Sequence, residues 1–186
     1  TANMYGMDRA TAEARCGEDV EAGCPERGRK GQPERRGLVV AAQRRLLGLM
    51  RAARNVAGVK KVFVRSGIRY DLAIESPEYV RELVRHHVSG LLKIAPEHVS
   101  DKVLRLMNKS GGRRRLEEFR KLFTEVAADR VGLRGRDRDR PQHLKYYFMV
   151  AHPGTTEKEA RELAVFLGEL ERGGEKPVEG VQIFTP

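Results

Sequence analysis

The amino-acid sequence predicts an α/β fold with parallel strands and outer helices. Helical periodicity alternates with short β-branched or apolar runs over residues 38–186, and the segments following the first helix read strand, helix, strand, two helices, strand, helix, strand. Alternation of this kind favours parallel strands joined by right-handed helical crossovers. The run Leu144–Gly154 is almost uniformly apolar in its middle, as expected of a strand covered on both faces. Four parallel strands form either a small doubly wound sheet or part of a (β/α) barrel.

The N-terminal part of the chain combines a polar region with one helix and one strand. Residues 1–37 are rich in Gly, Glu and Arg and show no apolar period, which predicts a loop or insertion ahead of a domain at residues 38–186. Leu38–Arg54 carries apolar residues at spacings of three and four, which predicts a helix. The β-branched content of Val59–Val64 predicts the first strand.

Two helices and a strand are predicted in the middle of the chain. Ser76 is in the position of an N-cap with Pro77 at the first helical position, and Gly90 ends that helix. Leu91–Ala95 then predicts the second strand. Ser100 and Asp101 can cap a short helix that follows.

The C-terminal part completes the alternation. Leu116–Val131 predicts a further helix in the same crossover, and residues 134–142 predict an exposed loop whose charges compensate one another. After the apolar third strand, Thr156 and Glu159 form a capping-box pattern ahead of another helix. The terminal segment "VEGVQIFTP" predicts the fourth strand.

Composition limits the classes of function. The chain has a formal net charge of +10, 40% hydrophobic residues and 33% charged residues, which indicates a soluble globular protein with a heavily charged surface. We expect no membrane partner and a cytoplasmic location, since no apolar run approaches the roughly 20 residues of a membrane span and the first residues do not resemble a signal peptide. Cys16 and Cys24 are too loosely spaced for a recognised zinc motif.

The net positive charge suits a nucleic acid or another polyanion. Arginine is interspersed with acids along the predicted helices, so an arginine-rich composition unrelated to any ligand explains the net charge equally well. A non-catalytic basic α/β module that binds nucleic acid therefore remains an alternative, and a degenerate barrel that serves as a scaffold is a third.

Polar residues follow each predicted strand. Because the carboxyl ends of parallel strands meet at one edge, where α/β proteins carry their functional groups, we expect these residues to share one rim. In chain order they are Ser66, Arg69, Tyr70 and Asp71, then Lys93, Glu97, His98 and Lys102, then His152, and finally Thr185.

Each candidate also has a simpler interpretation. Arg69 with Asp71 can be a structural ion pair, His98 can pair locally, and His152 can merely end a strand before a Pro-Gly turn. His86 and His87 are expected to be structural or exposed. The residues 113–115, all Arg, begin a helix, where positive charge is unfavourable, so an anion contact is the alternative there.

Four stretches of the sequence resemble one family in order from residue 1 to residue 186. They are "TANMYGM", "GVKKVFVRSGIRYDLAIESPEYVRELVRHHVSGLLKIAPEHVSDKVLRLMNK", "YYFMVAHPGTTEKEARELAVFL" and "VQIFTP". This combination resembles the YgiQ-type branch of the radical S-adenosylmethionine (SAM) enzymes. More distantly, Asp101, Lys102, Val103 and Leu104 stand where the methylthiotransferase pattern reads Asp-Lys/Arg-Val-Leu.

The resemblance implies a TIM-like, partial (β/α)6 barrel of which this chain carries strands three to six. It also implies a 4Fe-4S cluster that binds SAM, cleaves it reductively and releases a 5′-deoxyadenosyl radical, which acts on a substrate that the sequence does not identify. An electron donor would reduce the cluster. By position, Ser66 and Arg69 could meet the ribose or carboxylate of SAM, and Lys102 its carboxylate. Glu97, His98 and His152 could contact SAM or the substrate.

The cluster motif of that family, C-x3-C-x2-C, does not occur in this sequence. Three thiolates are needed to hold the cluster and leave one iron for SAM. The resemblance therefore implies that the cluster ligands lie upstream of this chain, that the chain is a fragment, and that the fragment alone is inactive. Cys16 and Cys24 are expected to bind no metal, although the family often has four cysteines in that region.

Overall fold

A three-stranded parallel sheet forms the centre of the molecule. In the computed structural model, which describes residues 32–109, 111–129, 141–175 and 178–185, the strands are β1 (Leu91–Glu97), β2 (His143–Val150) and β3 (Val178–Ile183). Their order in the sheet follows the chain, and both pairings are parallel. The carboxyl ends of the strands consequently lie along one side of the sheet, here called the carboxyl edge. The predicted α/β class is confirmed, and the sheet is consistent with part of a β/α fold.

Six α-helices accompany the sheet within the described ranges. They are α1 (Gln32–Arg54), α2 (Tyr70–Ala73), α3 (Pro77–Glu82), α4 (Asp101–Leu106), α5 (Arg113–Asp129) and α6 (Glu157–Arg172), with a π-helical turn at Leu83–His87 after α3. Helix α1 begins ahead of its predicted start at Leu38, inside the region expected to be a polar insertion. Cys16, Cys24 and residues 134–140 of the loop predicted at residues 134–142 lie outside the described residues.

Local capping explains where two helices begin. The Ser76 hydroxyl accepts a hydrogen bond from the Tyr79 amide at 3.3 Å, which confirms the predicted start of α3. At α6 the Thr156 amide donates to Glu159 Oε2 at 2.8 Å, as the capping-box pattern predicts. Ser100 is the N-cap residue of α4, but its side chain makes no capping hydrogen bond, contrary to expectation.

The predicted first strand is wrong. Val59–Val64 forms no ladder with a described strand, and its Val64 amide donates to the carbonyl of His87 at 2.9 Å. Sheet contact is limited to Ile68, which forms one parallel bridge with Ile94 and donates its amide to the Lys93 carbonyl at 3.0 Å. The Val62 carbonyl accepts from His87 Nδ1 at 2.8 Å, so two backbone groups of the segment bond to the π-helical turn.

Strand β1 continues beyond its predicted end at Ala95, through Pro96 to Glu97. Proline has no amide to donate to a ladder. The register with β2 shifts between Ile94 and Glu97, so Pro96 occupies the irregularity rather than a regular ladder position. The strand therefore reaches the carboxyl edge with a break in its pairing just before the edge.

Only one face of the sheet is covered by the described helices. Leu92, Ile94, Tyr146 and Phe148 are buried in a single core with residues of the helices, whereas Tyr147 on the opposite face is 37% exposed. The prediction that the third strand is covered on both faces is therefore wrong for the described residues. Alternation of side chains along β2 divides its apolar run between a buried face and an open one.

No helix in the described part of the chain combines the length and the apolarity that a membrane span requires.

Candidate functional site

Four of the residues predicted to share one rim lie at the carboxyl edge. Glu97 is the last residue of β1 and His98 follows it, while His152 follows β2 by two positions. Thr185 follows β3 at the same edge. The parallel pairing of the strands is what brings these residues, distant in sequence, to one side of the molecule.

The last residue of β1 and the first residue after β2 have left-handed backbone geometry, and a histidine follows each. Glu97 has φ of 65° and Ala151 has φ of 60°. This conformation is uncommon for residues other than glycine and costs roughly 1–2 kcal/mol. The backbone thus has left-handed geometry immediately before both His98 and His152.

The Glu97 carboxylate is buried at the edge and only partly satisfied. Its Oε1 atom accepts from the Lys109 ammonium at 2.5 Å, and its Oε2 atom is buried without a hydrogen-bond partner among the described residues. Lys109 follows α4 and is positioned by its amide, which donates to the Leu104 carbonyl at 2.8 Å. Sequence reasoning missed Lys109.

His98 is held as a neutral hydrogen-bond donor. The Ser100 amide donates to His98 Nδ1 at 3.0 Å, so the ring proton is on Nε2. Burial lowers the pKa of His98, against the opposing effect of Glu162 and Glu159. The Nε2 atom is buried and has no hydrogen-bond partner within the described part of the chain. The imidazole therefore presents one unused donor at pH 7.

Arg69 forms an ion pair with Asp71. Its guanidinium donates to Asp71 Oδ1 at 3.1 Å and to Oδ2 at 2.6 Å. Arg115 of α5 donates to the Asp71 carbonyl oxygen at 2.8 Å, which ties this segment to the helix layer. The geometry matches the structural ion pair that the sequence left open. Ser66 lies upstream of the Ile68 bridge and is exposed.

Lys102 connects two helices. Its ammonium donates to Glu159 Oε1 at 3.1 Å and so links α4 to the first turn of α6. Hydrogen bonds from the Thr156 hydroxyl and amide, with a smaller effect of Lys102, lower the pKa of Glu159 to about 2. To bind a carboxylate on a ligand, the half-exposed Lys102 would have to exchange Glu159 for it.

His152 packs against the end of β3. Its Nδ1 atom donates to the Pro153 carbonyl at 2.9 Å, and its ring meets the Phe184 ring edge-on with centroids 4.7 Å apart. The Phe184 amide donates to the Val150 carbonyl at 2.8 Å, which extends the pairing of β2 and β3 beyond the last ladder residue. In the neutral ring this leaves Nε2 as an acceptor.

The arginines that begin α5 crosslink the helices. Arg113 donates to Glu117 at 2.8 Å and to Glu169 of α6 at 2.5 Å. Arg115 pairs with Glu75 at 2.6 Å. These contacts favour a structural role for the two side chains over the anion contact considered from the sequence.

The described residues do not fit an iron–sulfur cluster. Within the described ranges, no group of three or more His, Cys, Asp or Glu side chains could hold a metal ion. Cys16 and Cys24 lie outside those ranges. Any cluster ligands would have to come from another part of the protein.

Comparison with known proteins shows similarity to one set of bacterial proteins. A UPF0313 protein of Vibrio vulnificus is 49% identical over 121 residues, which is 65% of this chain and 15% of that protein. A UPF0313 protein of Pseudomonas syringae is 43% identical over 141 residues, 76% of this chain and 17% of that protein. One from Shewanella oneidensis is 46% identical over 123 residues, 66% of this chain and 14% of that protein.

No family model matches the chain. The chain spans about one sixth of the length of the curated relatives described above, at 14 to 17% of each.

Proposed function

We propose that this chain is part of a UPF0313 protein of the YgiQ type, and that it contributes strands to a radical SAM barrel. The observation that carries the proposal is the 49% identity over 121 residues to a protein of the UPF0313 family, which is the YgiQ family. The sequence resemblance to YgiQ-type proteins is the basis for assigning radical SAM chemistry to the whole protein.

The fold supports this proposal at the level of geometry. Ligands of parallel α/β proteins bind beyond the carboxyl ends of the strands. In this chain that edge carries Glu97, His98 and His152, and two of its strand ends are strained. Strained backbone of this kind is concentrated at functional sites, where the surrounding structure maintains it.

The polar groups at the carboxyl edge fit the chemistry of SAM. Glu97 Oε2 would accept from an amine or a ribose hydroxyl, because it is buried without a hydrogen-bond partner among the described residues. His98 Nε2–H would donate, and His152 Nε2 would accept. Glu97 Oε2 and His98 Nε2 are buried, so neighbouring groups would have to move aside for SAM to reach these two atoms.

Arg69, Lys102 and Ser66 would complete the site around the carboxylate and ribose of SAM. Arg69 and Lys102 are bound to Asp71 and Glu159, so each would bind the carboxylate by sharing or exchanging its partner. When bound to a reduced 4Fe-4S cluster, SAM would supply a 5′-deoxyadenosyl radical for hydrogen abstraction. The role of this chain would be to orient SAM and to exclude water.

The proposal is tested by SAM binding to the intact protein. We expect Arg69→Ala and Lys102→Ala each to raise the dissociation constant for SAM about tenfold, a loss of about 1.4 kcal/mol of binding free energy. Isothermal titration calorimetry measures the change. Arg161→Ala is the matched control, since Arg161 is an exposed residue of α6 that pairs only locally with Glu157.

Unchanged SAM affinity in both test variants would reject the assignment of these two residues. Glu97→Gln keeps the size of the side chain and removes its charge, so it tests the edge independently of the two cations. A wild-type protein that binds no SAM would reject the proposed function itself.

A further inference from the structure

The end of α4 returns the chain to the carboxyl edge. Asn108 has left-handed geometry, with φ of 51°. Its amide donates to the Arg105 carbonyl at 3.0 Å, and the Lys109 amide donates to the Leu104 carbonyl at 2.8 Å. These two hydrogen bonds form a Schellman motif, an arrangement by which many helices end. The backbone of Lys109 is thereby fixed, and its ammonium reaches Glu97, which lies 12 residues earlier in the chain.

Lys109 is the cation that the Glu97 carboxylate contacts. The Glu97 side chain is 9% exposed and the Lys109 side chain 38%, with Nζ 2.5 Å from Oε1. A carboxylate removed from water needs a charged or hydrogen-bonding partner. Among the described residues, no second side chain donates a hydrogen bond to Glu97. The environment of this carboxylate therefore depends on one ammonium group.

The ion pair also determines which oxygen of Glu97 is left as an acceptor. Oε1 is bound to Lys109, and Oε2 has no hydrogen-bond partner within the described part of the chain. The backbone of Glu97 is left-handed, and strained geometry of this kind persists only where surrounding contacts maintain it. The Lys109 ammonium is such a contact, since it joins the end of β1 to the end of α4.

We propose that Lys109 is a positioning residue of the carboxyl edge, which acts through Glu97 and does not itself touch the ligand. By binding Oε1, it keeps the carboxylate in one orientation, with Oε2 as the acceptor for a donor group of the ligand. Because Oε2 is buried, neighbouring groups move aside as the ligand arrives, and the ion pair holds the carboxylate in place meanwhile. The inference rests on the proposed function in one respect, because it takes that ligand to be SAM.

Preorganisation is the physical reason that this contact affects binding. A long side chain that is already ordered loses less conformational entropy when a ligand binds to it. Without Lys109, the Glu97 carboxylate would be free to turn toward water, and each binding event would have to order it again. A purely structural ion pair, in contrast, would affect folding stability and leave the affinity for the ligand unchanged.

A double-mutant cycle in the intact protein tests the inference. Lys109→Met keeps the apolar stem and removes the charge, and Glu97→Gln keeps the shape of the carboxylate and removes its charge. By isothermal titration calorimetry, we expect each single variant to raise the dissociation constant for SAM about tenfold. The double variant is expected to raise it no further, since residues that act through one contact are not additive. Lys109→Arg is expected to bind SAM within about threefold of wild type, because it retains a cation that can pair with Oε1.

Lys121→Met is the matched control, because it removes one positive charge from an exposed position of α5. We expect it to bind SAM as wild type does. Thermal melting shows whether each variant is folded, and Lys109→Gln replaces Lys109→Met in the cycle if the latter does not fold.

Four results would overturn the inference. They are unchanged SAM affinity in Lys109→Met, losses that add to about a hundredfold in the double variant, a loss in Lys109→Arg as large as in Lys109→Met, and an equal loss in Lys121→Met. The two proposals fail separately. A wild-type protein that binds no SAM would reject the proposed function, whereas a wild type that binds SAM, with additive losses in the cycle, would reject the role of Lys109 alone.

Discussion

At the scale of single residues, the ends of β1 and β2 use residues that do not favour the backbone they adopt. Glu97 and Ala151 both have left-handed geometry, with φ of 65° and 60°. Glu97 is buried and paired with Lys109, whereas Ala151 is exposed and has only a methyl group. The free-energy cost of left-handed geometry at Ala151 is therefore a property of the backbone alone. It can be measured separately from side-chain contacts.

Ala151→Gly is expected to stabilise the protein by up to about 1 kcal/mol, because glycine adopts positive φ without the roughly 1–2 kcal/mol penalty of other residues and loses part of that gain in chain entropy. Hydrogen exchange of peptides from β2, followed by mass spectrometry in the intact protein, measures the change. Ala164→Gly, at an exposed position inside α6, is expected to destabilise by about 1 kcal/mol. A change in stability of the same sign in Ala151→Gly and in Ala164→Gly would contradict backbone strain at Ala151.

At the scale of elements, the start of α6 is coupled to α4. Glu159 accepts hydrogen bonds from Thr156, the N-cap residue of α6, and from Lys102 of α4. One carboxylate thus caps α6 and attaches the helix that follows β1. The position of the Lys102 ammonium depends on that contact.

Protonation of Glu159 at acidic pH is expected to lower the stability of the folded protein. Its pKa is lowered from 4.5 to about 2 on folding, so its stabilising contribution is complete above pH 4.5 and is lost progressively as the pH falls toward 2. Glu159→Gln should melt at a lower temperature than wild type at pH 7, and the difference should shrink below pH 4.5. Thermal melts of the intact protein over this range provide the measurement.

Glu157→Gln is the control for this pH series. Glu157 lies in the same first turn and is exposed, and its ion pair with Arg161 stays within one helix. Exposed pairs of this kind contribute little to stability. A melting difference between wild type and Glu159→Gln that did not vary with pH would contradict the coupling of folding to the Glu159 charge.

At the scale of the whole molecule, Phe166 joins the sheet to the outer helices. It is fully buried in α6, and its ring meets the Phe148 ring of β2 with centroids 6.1 Å apart. The guanidinium groups of Arg113 and Arg120 from α5 lie 5.3 Å and 5.9 Å from its centroid. A single side chain therefore contacts two layers of the fold.

Phe166→Ala is expected to destabilise the protein by about 3–5 kcal/mol, because it leaves a cavity between the layers. This is a large part of the 5–15 kcal/mol that stabilises an ordinary domain. Val165→Ala, at the 55% exposed neighbouring position, should change stability by less than about 0.5 kcal/mol. Protease resistance of the intact protein measures both, and equal resistance of the two variants would contradict the role of Phe166.

Much of the fold was predictable because its signals are local. Ser76 and the pair Thr156 and Glu159 mark helix starts, and capping acts within one turn of the chain. The parallel direction of the strands followed from the helices between them. The helices predicted at Leu38–Arg54 and Leu116–Val131 are present but begin earlier than predicted, since the precise start of a helix depends on contacts beyond its own turn.

The candidate site was less predictable because it depends on contacts between distant segments. The edge positions of Glu97, His98 and His152 follow from parallel topology, which sequence alternation predicts. Lys109 was missed because nothing near it in sequence indicates that its ammonium meets Glu97. The open face of the sheet was missed because the apolar run of β2 gave no sign of which side would remain uncovered.

The sequence by itself determined the class of fold, the direction of the strands and the starts of its capped helices, since periodicity and capping are properties of neighbouring residues. Only the tertiary structure decided that Val59–Val64 bonds to the π-helical turn and forms no ladder, and that Lys102 is paired with Glu159. Those outcomes depend on hydrogen bonds and charges brought together from segments up to 57 residues apart, and no local pattern encodes which of the possible partners will meet.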